Sequence, residues 1–196
     1  GAGELYIAAR AGVPRAQILV HGVNKSSADL RAALATAGTV VVDNLHELAR
    51  IAELAPGFDP LPQLWLRVRP GLAAETHAFR QTGQDDSKFG MGFAEAVEAV
   101  ALCRARGLAL TGVHFHQGSH FHDPAPIGPA LERVLDLLAE LRDASGWSPA
   151  YLSPGGGWGV PYHEDDLPHP PIDAYVAFLS EKLAGGCGAN GLPLPA

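Results

Sequence analysis

Apolar and polar positions follow two alternating patterns along the chain. Short apolar, β-branched runs alternate with longer stretches of helical period, which is typical of repeated βα units around a parallel sheet. The apolar runs predict five strands, at Gln17–His21, Thr39–Asp43, Gln63–Arg69, Leu108–His116 and Ala150–Pro154. The intervening stretches predict six helices, at Glu4–Ala11, Ala28–Ala35, Leu45–Ala55, Phe93–Arg106, Pro129–Ala144 and Ile172–Leu183.

Local signals support these elements. The fifth predicted helix carries one apolar stripe at steps of three and four residues, formed by Leu131, Val134, Leu135, Leu138 and Leu141. Asn44 followed by Glu47 resembles a capping pair at a helix start, and Gly107 stands where a C-cap would turn the chain into the next strand. The sequence therefore predicts helices laid on a sheet.

The number of elements bounds the architecture. Five strands and six helices are more than a half-barrel and less than a closed (β/α)₈ barrel, which takes about 250 residues. We expect residues 1–196 to form one partial barrel domain, with a terminal Gly/Pro-rich loop at 185–196. Pro70–Gly92 is longer than an ordinary connection of roughly two to six residues, and such loops are commonly functional.

Composition excludes several classes of function. The net charge is −7, and the 14 Lys and Arg residues form no basic stripe, so nucleic acid is not an expected partner. Two cysteines, Cys103 and Cys187, provide neither a disulfide framework nor a thiolate metal site and fit a reducing compartment. No apolar run reaches the roughly 18 to 20 residues that span a bilayer. We therefore expect a cytoplasmic protein without a membrane partner.

Three glycines follow the last predicted strand. Gly155, Gly156 and Gly157 would lie at the carboxyl rim of a barrel, where backbone N–H groups without neighbouring Cβ atoms can cradle a phosphate. A mobile glycine turn is the alternative interpretation.

Histidines cluster after the preceding strand, in the pattern HxHxxxHxH from His114 to His122. Alternation along a strand puts His114 and His116 on one face, where both could bind a metal as in barrel hydrolases. A second interpretation is that one imidazole is buried and the others are solvated. A third is that His116 lies flat against an aromatic cofactor while Ser119 donates to a phosphate. The third interpretation also explains the adjacent Gly-Ser pair.

Four charged residues can be interpreted from their neighbours in the sequence. Arg67 lies inside an apolar strand, where a cation needs either a structural ion pair or an anionic ligand. Lys25 and Lys88 are flanked by polar loop residues, which is typical of solvated lysines. Glu4 is the only carboxylate on the first predicted helix and reads by itself as a surface charge.

These pieces together are similar to a known family. The chain resembles the group IV pyridoxal-phosphate decarboxylases, which have an alanine-racemase-like barrel. The matching strings cover nearly the whole sequence: GAGELYIAARAG, HGVNKS, VVDNLHEL, LRVRPG, THAFRQTGQDDSKFG, GVHFHQGSH and GGGWGVPY. The resemblance implies an α/β fold, an incomplete (β/α)₈ TIM barrel of about strands three to seven.

The resemblance also implies a cofactor, pyridoxal 5′-phosphate, at the barrel rim. His116 would stack on the pyridine ring, and Ser119 with the N–H groups of Gly156 and Gly157 would hold the phosphate. Arg67 and Glu4 would lie around the polar edge of the ring.

The implied reaction is decarboxylation of meso-2,6-diaminopimelate to L-lysine and CO₂, a step of lysine biosynthesis, because the loop before DSKFG contains TG. The implied assembly is a homodimer with Lys88 near the interface. Three alternatives stay open. One is a related decarboxylase acting on another basic amino acid, and another is a metal-dependent barrel hydrolase using His114 and His116. The third is a non-catalytic pyridoxal-phosphate-binding protein or racemase of the same barrel.

The chain departs from the family pattern in several places. The lysine that bonds the cofactor is expected before Gly1, because Lys25, Lys88 and Lys182 do not match it. The carboxylate partner of the pyridine nitrogen is expected beyond Ala196, and we expect residues 1–196 not to include the C-terminal β domain of the family. We therefore expect a central fragment that is inactive by itself. Val23 replaces the usual Asn, which affects only substrate details.

Overall fold

The computed structural model describes residues 1–71, 89–163 and 171–196. The chain divides into two compact units. The first contains Gly1–Val68 and Phe89–His114, and the second is built chiefly from Phe115–Ala196. The predicted loop lysine Lys88 and most of the TGQDDSKFG string lie outside the described residues.

The first unit consists of four helices that alternate with four strands. Its strands are β1 (Leu19–Val20), β2 (Thr39–Val42), β3 (Gln63–Arg67) and β4 (Leu110–His114). Its helices are α1 (Ala2–Arg10), α2 (Ser27–Thr36), α3 (Leu45–Leu54) and α4 (Phe93–Ala105). The strands are parallel and lie side by side in chain order. The predicted alternation is thus confirmed throughout this unit.

The core of the first unit follows from its β-branched residues. Val40, Val41 and Val42 have no exposed surface, as expected for a parallel strand that is covered on both faces. The predicted helix boundaries are also confirmed: Asn44 accepts a hydrogen bond from the Glu47 N–H at 2.9 Å, and Gly107 has a left-handed φ of +64°.

β1 is shorter than its predicted span of Gln17–His21. Residues Arg15–Gln17 form a 3₁₀ turn instead, in which the Gln17 N–H donates to the Pro14 carbonyl at 2.9 Å. The local turn therefore takes the first residues of the apolar run out of the sheet.

The second unit contains α5 (Ile127–Ser145), β5 (Tyr151–Ser153) and α6 (Ile172–Asn190). Phe115 continues the chain beyond the first unit, and its N–H donates to the Ser153 carbonyl in β5 at 3.0 Å. The apolar stripe of α5 is confirmed, since all five predicted residues are buried.

α6 extends seven residues beyond the predicted end at Leu183, through the sequence GGCGAN. The expectation of a loop from residue 185 was wrong for this part. Glycines disfavour helix in isolation, but here they allow close packing: a Cβ at Gly186 would overlap the Leu135 side chain of α5. The helix ends at Asn190 and is capped by Gly191, which has φ +59°.

None of the helices within the described residues is both long and apolar enough to cross a lipid bilayer.

Candidate functional site

Four polar side chains lie at the carboxyl ends of the parallel strands in the first unit. His21 follows β1, Asp43 follows β2, Arg67 ends β3 and His114 ends β4. Arg67 and His114 are paired in register, and the imidazoles of His21 and His114 meet edge to face at 4.5 Å between centroids. This edge is where open and closed α/β sheets bind ligands.

Arg67 is held by a buried ion pair. Its Nη1 lies 3.1 Å from Asp43 Oδ1, and its guanidinium lies 4.6 Å from the centre of the Phe89 ring. Burial lowers the pKa of Arg67, and the negative charge of Asp43 opposes that shift. The sequence left a structural ion pair and an anionic ligand open for Arg67, and the structure contains the ion pair. Asp43 is a partner that sequence reasoning missed.

Lys25 is buried rather than solvated, with 6% of its surface exposed. Its Nζ donates to Glu47 Oε1 at 2.7 Å and to the Gly22 carbonyl at 2.6 Å. The same Glu47 oxygen accepts from the Asp43 N–H at 3.2 Å. Burial raises the pKa of Glu47, with Lys25 opposing it. The expectation for Lys25 was wrong because a loop position in sequence gave no sign of the carboxylate on α3.

Glu4 lies on α1 with its side chain 88% exposed and paired with the N-terminal amine of Gly1. It also lines a cavity of about 420 Å³ together with Leu5, Val20 and His21. The structure therefore gives Glu4 a position beside the end of β1, and its predicted role at a cofactor ring stays a prediction.

In the second unit, the glycine turn packs against the segment after β4. A Cβ at Gly155 would lie 2.7 Å from both His116 Nδ1 and the Phe115 carbonyl oxygen. A Cβ at Gly157 would overlap the Gly118 carbonyl oxygen and lie 3.2 Å from the Ser119 Cα. Both glycines adopt left-handed φ values, +77° and +102°. Only residues without side chains permit this close approach.

The four predicted phosphate and ring residues of this unit, His116, Ser119, Gly156 and Gly157, thus come together. A Cβ at Gly156 would meet no atom within 4 Å, so the space on that side of the residue is open. A Gly-rich turn beside a serine hydroxyl and an imidazole fits a phosphorylated aromatic ring, because N–H and O–H donors bind phosphate oxygens.

The backbone of Phe121 joins the two segments. Its N–H donates to the Gly157 carbonyl, and its carbonyl accepts from the Gly159 N–H, each at 2.9 Å. The same carbonyl accepts from the Tyr175 hydroxyl on α6 at 2.9 Å. Sequence reasoning missed Tyr175, since one tyrosine in an apolar helix carries no distinguishing pattern.

The histidine cluster is divided between the units. His114 contacts His21 in the first unit, whereas His120 and His122 contact each other in the second, with ring centroids 4.7 Å apart. Within residues 1–71, 89–163 and 171–196, no group of three or more His, Cys, Asp or Glu side chains is arranged to hold a metal.

The parallel βα repeats and the glycine turn on the His-x-x-Ser segment define a domain of the (β/α) class suited to a phosphorylated cofactor. The chain belongs to the pyridoxal-dependent decarboxylases, because the pyridoxal-binding domain of that family matches residues 1–191. The predicted fold class, α/β with the alternation of an incomplete barrel, is confirmed by solved relatives of the same fold.

Two curated relatives are diaminopimelate decarboxylases. That of Halalkalibacterium halodurans is 38% identical over 98% of this chain and 45% of its own length. That of Bacillus subtilis is 37% identical with the same coverage. The chain therefore spans less than half the length of these relatives.

Solved structures agree with this assignment. Diaminopimelate decarboxylase from Helicobacter pylori, complexed with L-lysine, matches 94% of this chain and 46% of its own with a TM-score of 0.82 and 29% identity. The enzyme from M. jannaschii, also in complex with L-lysine, matches all of this chain and 45% of its own with a TM-score of 0.84 and 26% identity.

Proposed function

We propose that this chain is the cofactor-binding part of a pyridoxal-phosphate-dependent decarboxylase that converts meso-2,6-diaminopimelate to L-lysine and CO₂. The observation that carries the proposal is the packing of Gly155 and Gly157 onto the His116–Ser119 segment, in a chain 37–38% identical to diaminopimelate decarboxylases.

The residues of the second unit would hold the phosphate and one face of the ring. Ser119 would donate its hydroxyl, and Gly156 and Gly157 their N–H groups, to phosphate oxygens. His116, fixed beside Gly155, would lie against the ring. The two glycine N–H groups belong to the backbone of the packed turn, so ordering them at binding costs less than ordering flexible side chains.

Arg67 and Glu4 would act at the polar edge of the ring. The Asp43 carboxylate fixes the Arg67 guanidinium, so Arg67 would present its remaining N–H groups in one orientation. Bound pyridoxal phosphate supplies an electron sink for the electron pair that remains when CO₂ leaves the α-carbon.

The proposal extends to assembly and location. The enzyme would be a cytoplasmic homodimer with Lys88 near the interface. The family resemblance supports this part.

The test uses the gene product that carries these residues. Purified with pyridoxal phosphate, it should bind the cofactor, seen by visible absorbance, and release CO₂ and L-lysine from meso-diaminopimelate. His116→Ala should weaken cofactor binding, while His46→Ala, at an exposed position of α3, should not. Faster turnover of arginine or ornithine than of meso-diaminopimelate would mean that the proposed substrate is wrong. Zinc-dependent hydrolysis without bound cofactor would overturn the proposal.

A further inference from the structure

Tyr175 is a buried aromatic residue near the glycine turn, with 1% of its surface exposed. It lies in the first turn of α6 and is not one of the residues that the proposed function uses. Its ring packs on Trp158 with centroids 4.4 Å apart and planes at 36°. The side chain therefore contacts the turn directly, through Trp158 within GGGWG.

The Tyr175 hydroxyl donates to a backbone oxygen that also accepts a second hydrogen bond. The Phe121 carbonyl accepts from Tyr175 and from the Gly159 N–H, both at 2.9 Å. The Phe121 N–H donates to the Gly157 carbonyl, and Phe121 and Trp158 form a parallel bridge. One residue on α6 thus supports a backbone junction that fixes both sides of Trp158.

This junction determines where the turn's peptides point. Gly157 and Gly159 flank Trp158 and are both bonded to Phe121. Gly155 and Gly157 adopt left-handed conformations in which a chain without side chains loses much entropy on ordering. A glycine-rich turn keeps one conformation only if its surroundings impose it, and the Phe121 junction supplies that restraint.

We propose that Tyr175 is a positioning residue for phosphate binding: through Phe121 it holds the backbone N–H groups of Gly156 and Gly157 in the orientation that receives a phosphate. This inference rests on the proposed function. Burial and the charge of Asp123 raise the pKa of Tyr175, so its hydroxyl stays a donor at neutral pH.

The test compares two ligands that differ only in the phosphate. Dissociation constants for pyridoxal 5′-phosphate and for pyridoxal are measured in the gene product that carries this chain, for the wild type, Tyr175→Phe and Tyr6→Phe. Tyr175→Phe keeps the ring on Trp158 and removes one hydrogen bond, whose loss costs about 3- to 10-fold in affinity. That loss should appear for pyridoxal phosphate and not for pyridoxal. Tyr6, which is 66% exposed on α1, is the matched control.

A second readout needs no ligand. Amide hydrogen exchange across residues 155–159 should speed up in Tyr175→Phe and stay unchanged in Tyr6→Phe. An equal loss for both ligands, or an unchanged preference for the phosphorylated one, would overturn the role of Tyr175 while leaving the proposed function intact. A wild type that binds no pyridoxal phosphate would overturn both, whatever the exchange result.

Discussion

At the scale of single residues, Gly157 and Gly156 differ sharply despite being neighbours. Gly157 has φ +102° and faces the Gly118 carbonyl oxygen, whereas Gly156 has open space around its missing side chain. Gly157→Ala should cost about 1–3 kcal/mol through backbone strain alone, and the steric overlap adds to this. Gly156→Ala should leave the free energy of unfolding nearly unchanged. Urea unfolding of the two variants makes the comparison, and equal destabilisation would contradict this account of the turn.

The buried pair of Arg67 and Asp43 gives a second test at this scale. Asp43→Ala leaves the guanidinium buried without its counter-charge, which should cost about 3–5 kcal/mol. The matched change is Glu140→Ala, which breaks the exposed pair with Arg133 at 3.6 Å and should cost within about 1 kcal/mol. Urea unfolding of both variants at neutral pH measures the difference. Similar losses in the two proteins would mean that Arg67 does not depend on Asp43.

Single-residue contacts were the part of the site that sequence predicted least well. His116 and Ser119 came from one continuous string and the glycines from another, and the structure brings the two strings together. Asp43, Glu47 and Tyr175 act through partners between 22 and 54 positions away in the chain. Such pairings depend on strand register and helix placement, which no local pattern encodes.

At the scale of elements, the contact between α5 and α6 depends on small residues. A Cβ at Gly186 would overlap Leu135, whereas one at Gly188 would meet no atom within 4 Å. Gly186→Leu should destabilise the protein by about 1–3 kcal/mol through overpacking. Gly188→Leu should instead stabilise it by up to about 1 kcal/mol, since leucine favours helix. Thermal unfolding of the two variants measures whether each substitution stabilises or destabilises the protein. If both substitutions stabilise it, Gly186 is not closely packed.

Helix α4 buries its cysteine, Cys103, which makes the free energy of unfolding depend on pH. Burial raises the pKa of Cys103 from 9.0 to about 11. The folded state favours the protonated thiol. The contribution of Cys103 to the free energy of unfolding is therefore complete below pH 9 and is lost as pH rises through 11. Between pH 8 and pH 10 it should fall by about 1 kcal/mol. Urea unfolding should show this fall in the wild type relative to Cys103→Ala, in which other titrations are unchanged. Parallel pH profiles would contradict it.

Element boundaries were predictable where periodicity was strong and failed where packing overrode propensity. The stripe of α5 and the caps at Asn44 and Gly107 were confirmed. The end of α6 was not, because glycine is a poor helix former by itself and its benefit exists only against Leu135. Tertiary contact decided the last seven residues of that helix.

At the scale of the whole molecule, the βα alternation predicted the fold class, and the family match over residues 1–191 confirms it. The choice of amino-acid substrate lies beyond what the alternation encodes. Related decarboxylases share the fold: the biosynthetic arginine decarboxylase of Campylobacter jejuni aligns with a TM-score of 0.80 at 25% identity. Because proteins that share this fold are named for different substrates, turnover rather than fold must decide the substrate.

The proposed assembly leads to a prediction for Lys88. If this lysine meets a counter-charge across a dimer interface, reversing its charge replaces an attraction with a repulsion, and a buried interfacial pair costs about 2–5 kcal/mol when broken. Lys88→Glu should therefore weaken dimerisation of the gene product more than tenfold, measured by sedimentation equilibrium. Lys182→Glu is the matched charge reversal, since Lys182 pairs only at the surface, 2.9 Å from Glu132, and it should leave the dimer intact. If the wild type is a monomer, or if Lys88→Glu leaves the dimer intact, Lys88 does not lie at an interface. If both variants lose the dimer, the change in net charge is the cause instead.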